Sequence, residues 1–244
     1  LMPEMLPDRP PETPPRIPDF ALLRPVGEGG FGRVWLATNE TTGRLRAIKL
    51  IPLRGSRFDQ AGREIAAITR FERDFAVDHP NLLPIDHVGR TEEYLFYVMD
   101  PADDLKGGKA SVDPKYCPAT LRNELKAGPL PPEECVANAR AILNALAALH
   151  SRGMVHRDVK PANCLYVDGT LKLADFGLLT AADPTVSRLG TEAYMPPDGR
   201  MDTRADVYAA GLVLYEMFTG RPPESFPRLG ERAGDVLADP TLGA

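Results

Sequence analysis

The chain has 244 residues, of which 43% are hydrophobic and 26% are charged, a composition that excludes collagen-like, disordered and membrane-embedded proteins. Its formal net charge of -5 provides no attraction to nucleic acid or to an anionic membrane, so we expect no nucleic-acid partner and no direct membrane contact. Three cysteines without a paired spacing (Cys117, Cys135 and Cys164) are typical of a reducing, cytoplasmic compartment.

The first 18 residues contain seven prolines and no apolar core, which predicts a disordered leader (residues 1–18) rather than a signal peptide. A proline-rich peptide ligand is the alternative for this segment. The longest apolar stretch, at 139–150, is interrupted by Arg140 and Asn144, and it falls short of the about 20 apolar residues that span a bilayer. Because the first residue is Leu rather than Met, we interpret the sequence as a fragment.

Short apolar and β-branched runs separated by turn residues follow the leader. They predict strands at 20–26, 32–38, 45–50, 82–88 and 94–99. A helix is predicted at 58–75, where Ile65, Ile68, Phe71 and Phe75 recur at helical spacing. This region, residues 19–100, is predicted to be the first of two lobes.

Helical patterns dominate the second predicted lobe, residues 101–244. Apolar periodicity predicts helices at 118–125, 131–151 and 205–219. Two short runs around Asp168-Gly169 predict a hairpin at 164–174. Residues 106–116 are rich in Gly, Lys and Asp and are predicted to form an exposed loop.

A glycine-rich segment lies between the first two predicted strands. It reads Val26-Gly27-Glu28-Gly29-Gly30-Phe31-Gly32-Arg33-Val34 and has a GxGxxG spacing. A dinucleotide-binding turn would need a helix after the glycines and an acidic residue about 20 positions further on. Here a strand follows, and Ala47 stands at that distance. Two interpretations remain: a hairpin whose backbone approaches phosphate groups, and an ordinary glycine-rich turn.

A lysine on the third predicted strand has a candidate partner in the sequence. Lys49 lies 22 residues after Gly27, and its ammonium group could reach phosphates under the glycine loop. Glu64 on the predicted helix would orient this group through a charge-assisted hydrogen bond. Glu72 is the alternative, and Glu64 is preferred because neighbouring Ile65 places it at the edge of an apolar face.

Two loops of the second lobe carry carboxylate and amide groups. One reads His156-Arg157-Asp158-Val159-Lys160-Pro161-Ala162-Asn163, and Asp175-Phe176-Gly177 begins twelve residues after Asn163. Carboxylate and amide oxygens are the ligands that Mg²⁺ prefers. A single loop aspartate is usually a turn or capping residue, but all these groups together favour a magnesium site.

These motifs together resemble those of the protein kinase family, serine/threonine type, over residues 20–223. The resemblance implies an α+β, kinase-like bilobal fold, with an antiparallel sheet and one helix in the N-lobe and a mainly helical C-lobe. It also implies Mg²⁺-dependent transfer of the γ-phosphoryl group of ATP to Ser or Thr hydroxyls of protein substrates.

The resemblance implies a role for each charged motif residue. Asp158 would accept the proton of the substrate hydroxyl, and Lys160 would neutralise charge on the transferring phosphoryl group. Lys49, paired with Glu64, would hold the α and β phosphates. The two metal ligands would be Asn163 and Asp175.

The resemblance also implies a nucleotide site. Backbone groups of Asp100 and Ala102 would bind adenine beside Met99, and apolar side chains would cover both faces of the ring. The complete nucleotide-binding set is Val26, Gly27, Glu28, Gly29, Gly30, Phe31, Gly32, Arg33, Val34, Ala47, Lys49, Met99, Asp100, Ala102, Asn163, Leu165 and Asp175.

Residues 175–198 resemble an activation loop. Thr185 and Ser187 are either phosphorylation sites, for which Arg157 would supply a charged partner, or ordinary polar loop residues. Thr191 is expected to shape the acceptor site beside the catalytic aspartate.

The match to the family departs at two places. The Ala-Pro-Glu motif of the family is Pro196-Pro197-Asp198 here, and the arginine that pairs with its glutamate near the end of the domain is absent. The sequence also ends about 25 residues after Thr219, where the family adds further helices. We therefore expect an incomplete C-lobe, with part of the apolar face of the helix at 205–219 uncovered.

An active serine/threonine protein kinase is the favoured function, because every catalytic and metal-binding residue of the family pattern is in place. We expect autophosphorylation in a transient homodimer, and a cytoplasmic location either alone or as part of a membrane-anchored protein. A catalytically inactive kinase-like scaffold is the alternative. A small-molecule kinase is disfavoured by Lys160 and by Gly190-Thr191, which resemble the protein-substrate type.

Overall fold

The structure is a computed structural model that describes residues 14–29, 32–53, 79–175, 180–181 and 191–228. Several predictions fall outside the described residues: most of the leader, the helix at 58–75 with Glu64 and Glu72, and Gly30, Phe31, Phe176, Gly177, Thr185 and Ser187.

An antiparallel five-stranded sheet forms the first half of the described chain, in the order β1-β2-β3-β5-β4. Its strands are β1 (Phe20–Gly29), β2 (Gly32–Asn39), β3 (Leu45–Pro52), β4 (His87–Arg90) and β5 (Tyr94–Met99).

The two faces of this sheet pack into separate apolar cores. Because successive side chains of a strand point to opposite faces, Ile48 and Leu50 of β3 join one core, while Ala47 and Ile51 join the other. This second core also contains Ala174 from the helical half. Strand alternation therefore directs Lys49, which lies between these positions, toward the helical half.

Three α-helices and a hairpin form most of the second half of the described chain. The helices are α1 (Leu121–Glu124), α2 (Pro132–His150) and α3 (Thr203–Thr219). The remaining strands are β6 (Met154–Val155), β7 (Cys164–Val167), β8 (Thr170–Leu173) and β9 (Thr180–Ala181), which pair as β6-β9 and β7-β8.

Helices α2 and α3 share a buried core that also includes the hairpin. Leu146 of α2, Val213 of α3 and Leu173 of β8 are among its fully buried members. Asp202 caps the start of α3 by accepting a hydrogen bond from Arg204 N, and Gly220, with a φ of 65°, ends the helix. None of the described helices combines the length and apolarity needed to cross a membrane.

This sheet followed by helices confirms the predicted α+β class, whereas the boundaries of the predicted lobes stay predictions. Two local expectations are wrong. Residues 82–86 do not belong to a strand: Leu82 and Leu83 are buried because the chain pairs there with β8, where Leu83 N donates to Leu173 O at 2.9 Å. The loop at 106–116 is not exposed throughout, because Tyr116 at its end is buried.

Candidate active site

A cleft between the sheet and the helical half is lined by residues of both. Its lining combines apolar side chains with a few charged and polar groups, which is the character of small-molecule sites. The predicted nucleotide-binding residues that line it are Val26, Gly27, Val34, Ala47, Lys49, Met99, Asp100, Ala102, Asn163, Leu165 and Asp175.

Four described members of the predicted nucleotide-binding set are not among the lining residues: Glu28, Gly29, Gly32 and Arg33. Glu28 and Arg33 face each other across the β1-β2 hairpin and form an ion pair of 2.9 Å. Their side chains therefore bind each other at the base of the glycine loop.

Several residues that sequence reasoning missed also line the cleft: Leu83, Tyr97, Pro101, Tyr116, Pro118, Thr120, Ala162 and Ala174. Tyr116 and Pro118 follow a polar, glycine-containing stretch whose composition predicted solvent exposure. The change from that stretch to Tyr116-Cys117-Pro118-Ala119 is the sequence signal that could have identified them.

Lys49 and Asp175 meet inside the cleft. The Lys49 side chain is buried, with 3% of its surface exposed, and its Nζ contacts Asp175 Oδ1. The same ammonium group lies 5.6 Å from the centre of the Tyr97 ring. The structure thus brings together two predicted site residues that are 126 positions apart in the sequence.

Asp175 carries a negative charge in this arrangement. Burial acts to raise the pKa of its carboxyl group, but the charge and hydrogen bond of the adjacent Lys49 ammonium group, together with smaller effects of His156 and Lys160, hold the pKa below its ordinary value. Asp175 also has a φ of 67°, a left-handed conformation that is uncommon for a residue other than glycine.

The Asp158 carboxylate accepts four hydrogen bonds. Oδ1 accepts from the Thr191 hydroxyl at 2.7 Å and from Thr191 N at 3.2 Å. Oδ2 accepts from Lys160 Nζ at 2.7 Å and from Asn163 Nδ2 at 2.9 Å. Lys160 Nζ also donates to the Thr191 hydroxyl at 2.8 Å. The predicted base and lysine therefore surround one aliphatic hydroxyl group.

Asp206 on α3 holds the backbone of the Asp158 loop (residues 156–163). Its carboxylate is 1% exposed and accepts from His156 N at 2.8 Å and from Arg157 N at 2.7 Å. His150 Nε2 contacts the same carboxylate at 2.8 Å. Sequence periodicity predicted a helix at Asp206 but no contact for its side chain.

His156 connects the two site loops. Its Nδ1 accepts from Asp158 N at 3.3 Å, so the proton lies on Nε2, which donates to Ala174 O at 3.1 Å. The residue after Ala174 is Asp175, and this bond therefore fixes the spacing between the two predicted catalytic loops.

The donor set of the cleft suits a hard cation. Both hydrogens of the Asn163 amide are used by Asp158, through its backbone O at 2.8 Å and its Oδ2 at 2.9 Å. The amide oxygen of Asn163 therefore remains as a ligand group, and the Asp175 carboxylate lines the same cleft. An amide oxygen and an ionised carboxylate fit Mg²⁺.

The divergent Pro196-Pro197-Asp198 motif has a local arginine. Asp198 accepts from Arg200 N at 3.0 Å and from Arg200 Nε at 3.2 Å, and the backbone bond is the main reason that its pKa lies below the ordinary value. Nearby, the Tyr194 hydroxyl donates to Glu216 Oε1 of α3 at 2.5 Å. Burial raises the pKa of both Tyr194 and Glu216.

The chain is similar in sequence to known proteins. The protein kinase domain family matches residues 20–231. The serine/threonine-protein kinase PrkC of Bacillus subtilis is 34% identical over 220 residues, which cover 84% of this chain and 31% of the relative. The serine/threonine-protein kinase PknL of Mycobacterium tuberculosis is 36% identical over 219 residues, covering 84% of this chain and 50% of the relative.

A third relative, the serine/threonine-protein kinase PkaA of Streptomyces coelicolor, is 36% identical over 226 residues, covering 84% of this chain and 39% of the relative. The chain thus spans half or less of the length of these three relatives. The matches confirm the resemblance and the kinase-like fold that the motifs predict. The chain belongs to the protein kinase family.

Proposed function

We propose that this chain is a serine/threonine protein kinase domain that transfers the γ-phosphoryl group of ATP to Ser or Thr hydroxyls of protein substrates. The observation that carries this proposal is the contact of one threonine hydroxyl with both Asp158 Oδ1, at 2.7 Å, and Lys160 Nζ, at 2.8 Å. A Ser or Thr acceptor needs the same two neighbours, a base for its proton and a cation near the incoming phosphoryl group.

The cleft supports ATP as the donor. Ala47 and Leu165 provide apolar surface on opposite walls, and Asp100 and Ala102 line the connection that follows β5. Lys49, which also lines the cleft, provides a buried positive charge for phosphate oxygens. The adenine and phosphate sites proposed here thus lie along one continuous surface.

Asn163 and Asp175 would hold Mg²⁺, which supplies charge neutralisation at the phosphates when it is bound. The chain's own residues contribute positioning and proton transfer. The substrate hydroxyl oxygen forms a bond to the γ-phosphorus as the bond from that phosphorus to the ADP oxygen breaks. Asp158 accepts the hydroxyl proton, and Lys160 lies beside the developing negative charge.

The narrower expectations remain part of the proposal. Autophosphorylation at Thr185 or Ser187, a transient homodimer for that reaction, and a cytoplasmic location are all predictions from the sequence. Protein substrates are proposed because each of the three relatives is a serine/threonine-protein kinase.

Mass spectrometry after incubation with Mg·ATP and a generic basic protein tests the activity. We expect phosphate on Ser or Thr of the substrate or of the chain itself. Asp158→Asn is the control, since it keeps the shape of the side chain but removes the base, and its rate should fall by at least about 100-fold.

Calorimetric titration with Mg·ADP supplies the second readout, because Asp158→Asn should still bind the nucleotide. A parent chain that is folded and binds Mg·ADP, but transfers no phosphate to either acceptor, would refute the kinase proposal. The kinase-like scaffold would then be the correct interpretation.

A further inference from the structure

The connection of residues 100–102 that follows β5 is called the hinge below. A loop beside the cleft begins immediately after it, and the two ends of this loop are joined by hydrogen bonds. We define the post-hinge loop as residues 103–118, between Ala102 and the start of α1. Leu105 N donates to Cys117 O at 2.8 Å, and Ala119 N donates to Asp103 O at 2.8 Å. These bonds bring the end of the loop back to its beginning, so that Tyr116 and Pro118 form part of the cleft wall.

Tyr116 binds the hinge directly. Its side chain is 3% exposed, and its hydroxyl donates a hydrogen bond of 2.8 Å to the backbone carbonyl of Ala102. Burial raises the pKa of this hydroxyl well above its ordinary value, so it remains a donor at physiological pH. One of the two lone pairs of the Ala102 carbonyl is therefore already engaged by a tyrosine that, like Ala102, lines the cleft.

Arg24 of β1 holds Tyr116 from the opposite side. Its guanidinium group donates to Tyr116 O at 2.9 Å and to Asp113 O at 3.3 Å. The same group lies over the Tyr116 ring, 5.5 Å from its centre. Tyr116 is thus fixed through its ring, its backbone and its hydroxyl, and it can act as a rigid wall rather than an adaptable side chain.

The hydrogen bond from Tyr116 affects which hinge groups can bind a purine. Under the proposed function, the carbonyl of Asp100 accepts from the 6-amino group of adenine, and the N–H of Ala102 donates to ring nitrogen N1. Position 2 of the purine is adjacent to N1, so a substituent there would meet the next polar group along the hinge, the carbonyl of Ala102. That carbonyl is the acceptor that the Tyr116 hydroxyl occupies.

We propose that Tyr116 is a specificity-determining residue of the nucleotide site, which limits the hinge to two hydrogen bonds and selects adenine over 2-aminoadenine. The proposal rests on the proposed function, because it assumes that a purine nucleotide occupies the cleft. A 2-amino group would have to compete with the tyrosine hydroxyl for one carbonyl, and it would lose part of its hydration without gaining an equivalent partner.

The test compares the dissociation constants of Mg·ADP and Mg·2-amino-ADP for the wild-type chain and for Tyr116→Phe. The variant keeps the ring, and with it the contacts of Arg24, which involve the ring and the backbone carbonyl. It removes only the hydroxyl and leaves the Ala102 carbonyl available. We expect the preference for 2-amino-ADP relative to ADP to rise by about threefold to tenfold, the value of one neutral hydrogen bond.

Tyr166→Phe is the matched control. Tyr166 also has a partly buried hydroxyl, which accepts from Asn138 Nδ2 at 2.7 Å, but it is not among the residues that line the cleft. Its removal should leave the ratio of the two dissociation constants at the wild-type value. Thermal unfolding of all three proteins establishes that each is folded.

An unchanged ratio in Tyr116→Phe would overturn the specificity role of Tyr116, as would tighter binding of 2-amino-ADP than of ADP by the wild-type chain. The comparison of the two dissociation constants for the wild-type chain remains a valid test even if Tyr116→Phe does not fold. Absence of ADP binding to the folded wild-type chain would instead refute the nucleotide site of the proposed function, and with it this inference. The two failures are therefore distinguishable.

Discussion

Thr191 connects the two charged side chains of the Asp158 loop through a single hydroxyl group. The hydroxyl donates to Asp158 Oδ1 at 2.7 Å and accepts from Lys160 Nζ at 2.8 Å. Together with the direct hydrogen bond of 2.7 Å from Lys160 Nζ to Asp158 Oδ2, it aligns the carboxylate and the ammonium group. The sequence predicts this residue beside the acceptor site, but only the structure shows that it contacts both charged groups.

We predict that Thr191→Ala lowers kcat by about 10- to 100-fold, because Asp158 and Lys160 lose the group that aligns them. Thr191→Ser keeps the hydroxyl and should retain most of the activity. Initial rates of phosphate transfer at saturating Mg·ATP measure the effect. Equal rates for the alanine and serine variants would show that the hydroxyl does not align the site.

At the scale of elements, two glycines of the β1-β2 hairpin differ in how much space surrounds them. Gly32 has a φ of 157°, and a Cβ atom there would lie 2.3 Å from the carbonyl oxygen of Leu50 on β3. A Cβ atom at Gly27 would come no closer than 3.6 Å to Val34, which is an ordinary contact. The two positions share the same motif, yet only Gly32 is constrained by neighbouring backbone.

We predict that Gly32→Ala destabilises the folded chain by about 1–3 kcal/mol, because the strand backbone must shift to remove the clash. Gly27→Ala should change the free energy of unfolding by less than about 0.5 kcal/mol. Urea denaturation of both variants tests the difference. A loss of stability at Gly27 equal to that at Gly32 would contradict this explanation.

Local patterns were sufficient to predict most elements. Four of the five predicted sheet strands match β1, β2, β3 and β5 to within three residues at each end, because apolar and β-branched runs bounded by turn residues can be read without tertiary context. The run at Leu82 failed for a tertiary reason: it is buried by pairing with β8 rather than by membership of the sheet.

The site shows the same division between local and tertiary information. Motif spacing predicts Asp158, Asn163 and Asp175 as site residues, whereas several of the contacts that position them come from distant parts of the chain. Asp206 accepts a hydrogen bond from His156 N, although the two residues are 50 positions apart in the sequence. No local sequence pattern links them. Tyr116 was hidden for a different reason, since the polar composition of its loop predicts exposure while its own burial depends on Arg24 and Ala102.

At the scale of the whole molecule, the cleft lies between the sheet and the helical half, which also share an apolar core that contains Ala47 and Ala174. Lys49 of the sheet contacts Asp175 of the helical half at one end of the cleft. Arg24 of the sheet contacts the post-hinge loop through Tyr116 and Asp113. Both contacts connect the sheet to the other half through side chains, in addition to the backbone connection at the hinge.

We predict that Arg24→Met loosens the post-hinge loop while the rest of the fold is kept. Methionine retains an apolar stem but loses two hydrogen bonds to backbone carbonyls, each worth about 1 kcal/mol. The amide of Leu105, which is bonded to Cys117 O at 2.8 Å, should then exchange its hydrogen about 10-fold faster. Amides in the core of α2 should exchange at their wild-type rates.

Arg90→Met is the control for this measurement, because Arg90 is an exposed arginine on the edge strand β4 of the same sheet. Its replacement should leave the exchange of Leu105 unchanged. If Arg24→Met also leaves the exchange rate of the Leu105 amide unchanged, the post-hinge loop is held by its own hydrogen bonds and not by the sheet. Faster exchange confined to the post-hinge loop would instead establish that β1 supports the cleft wall, so that Arg24 couples the sheet to the shape of the cleft.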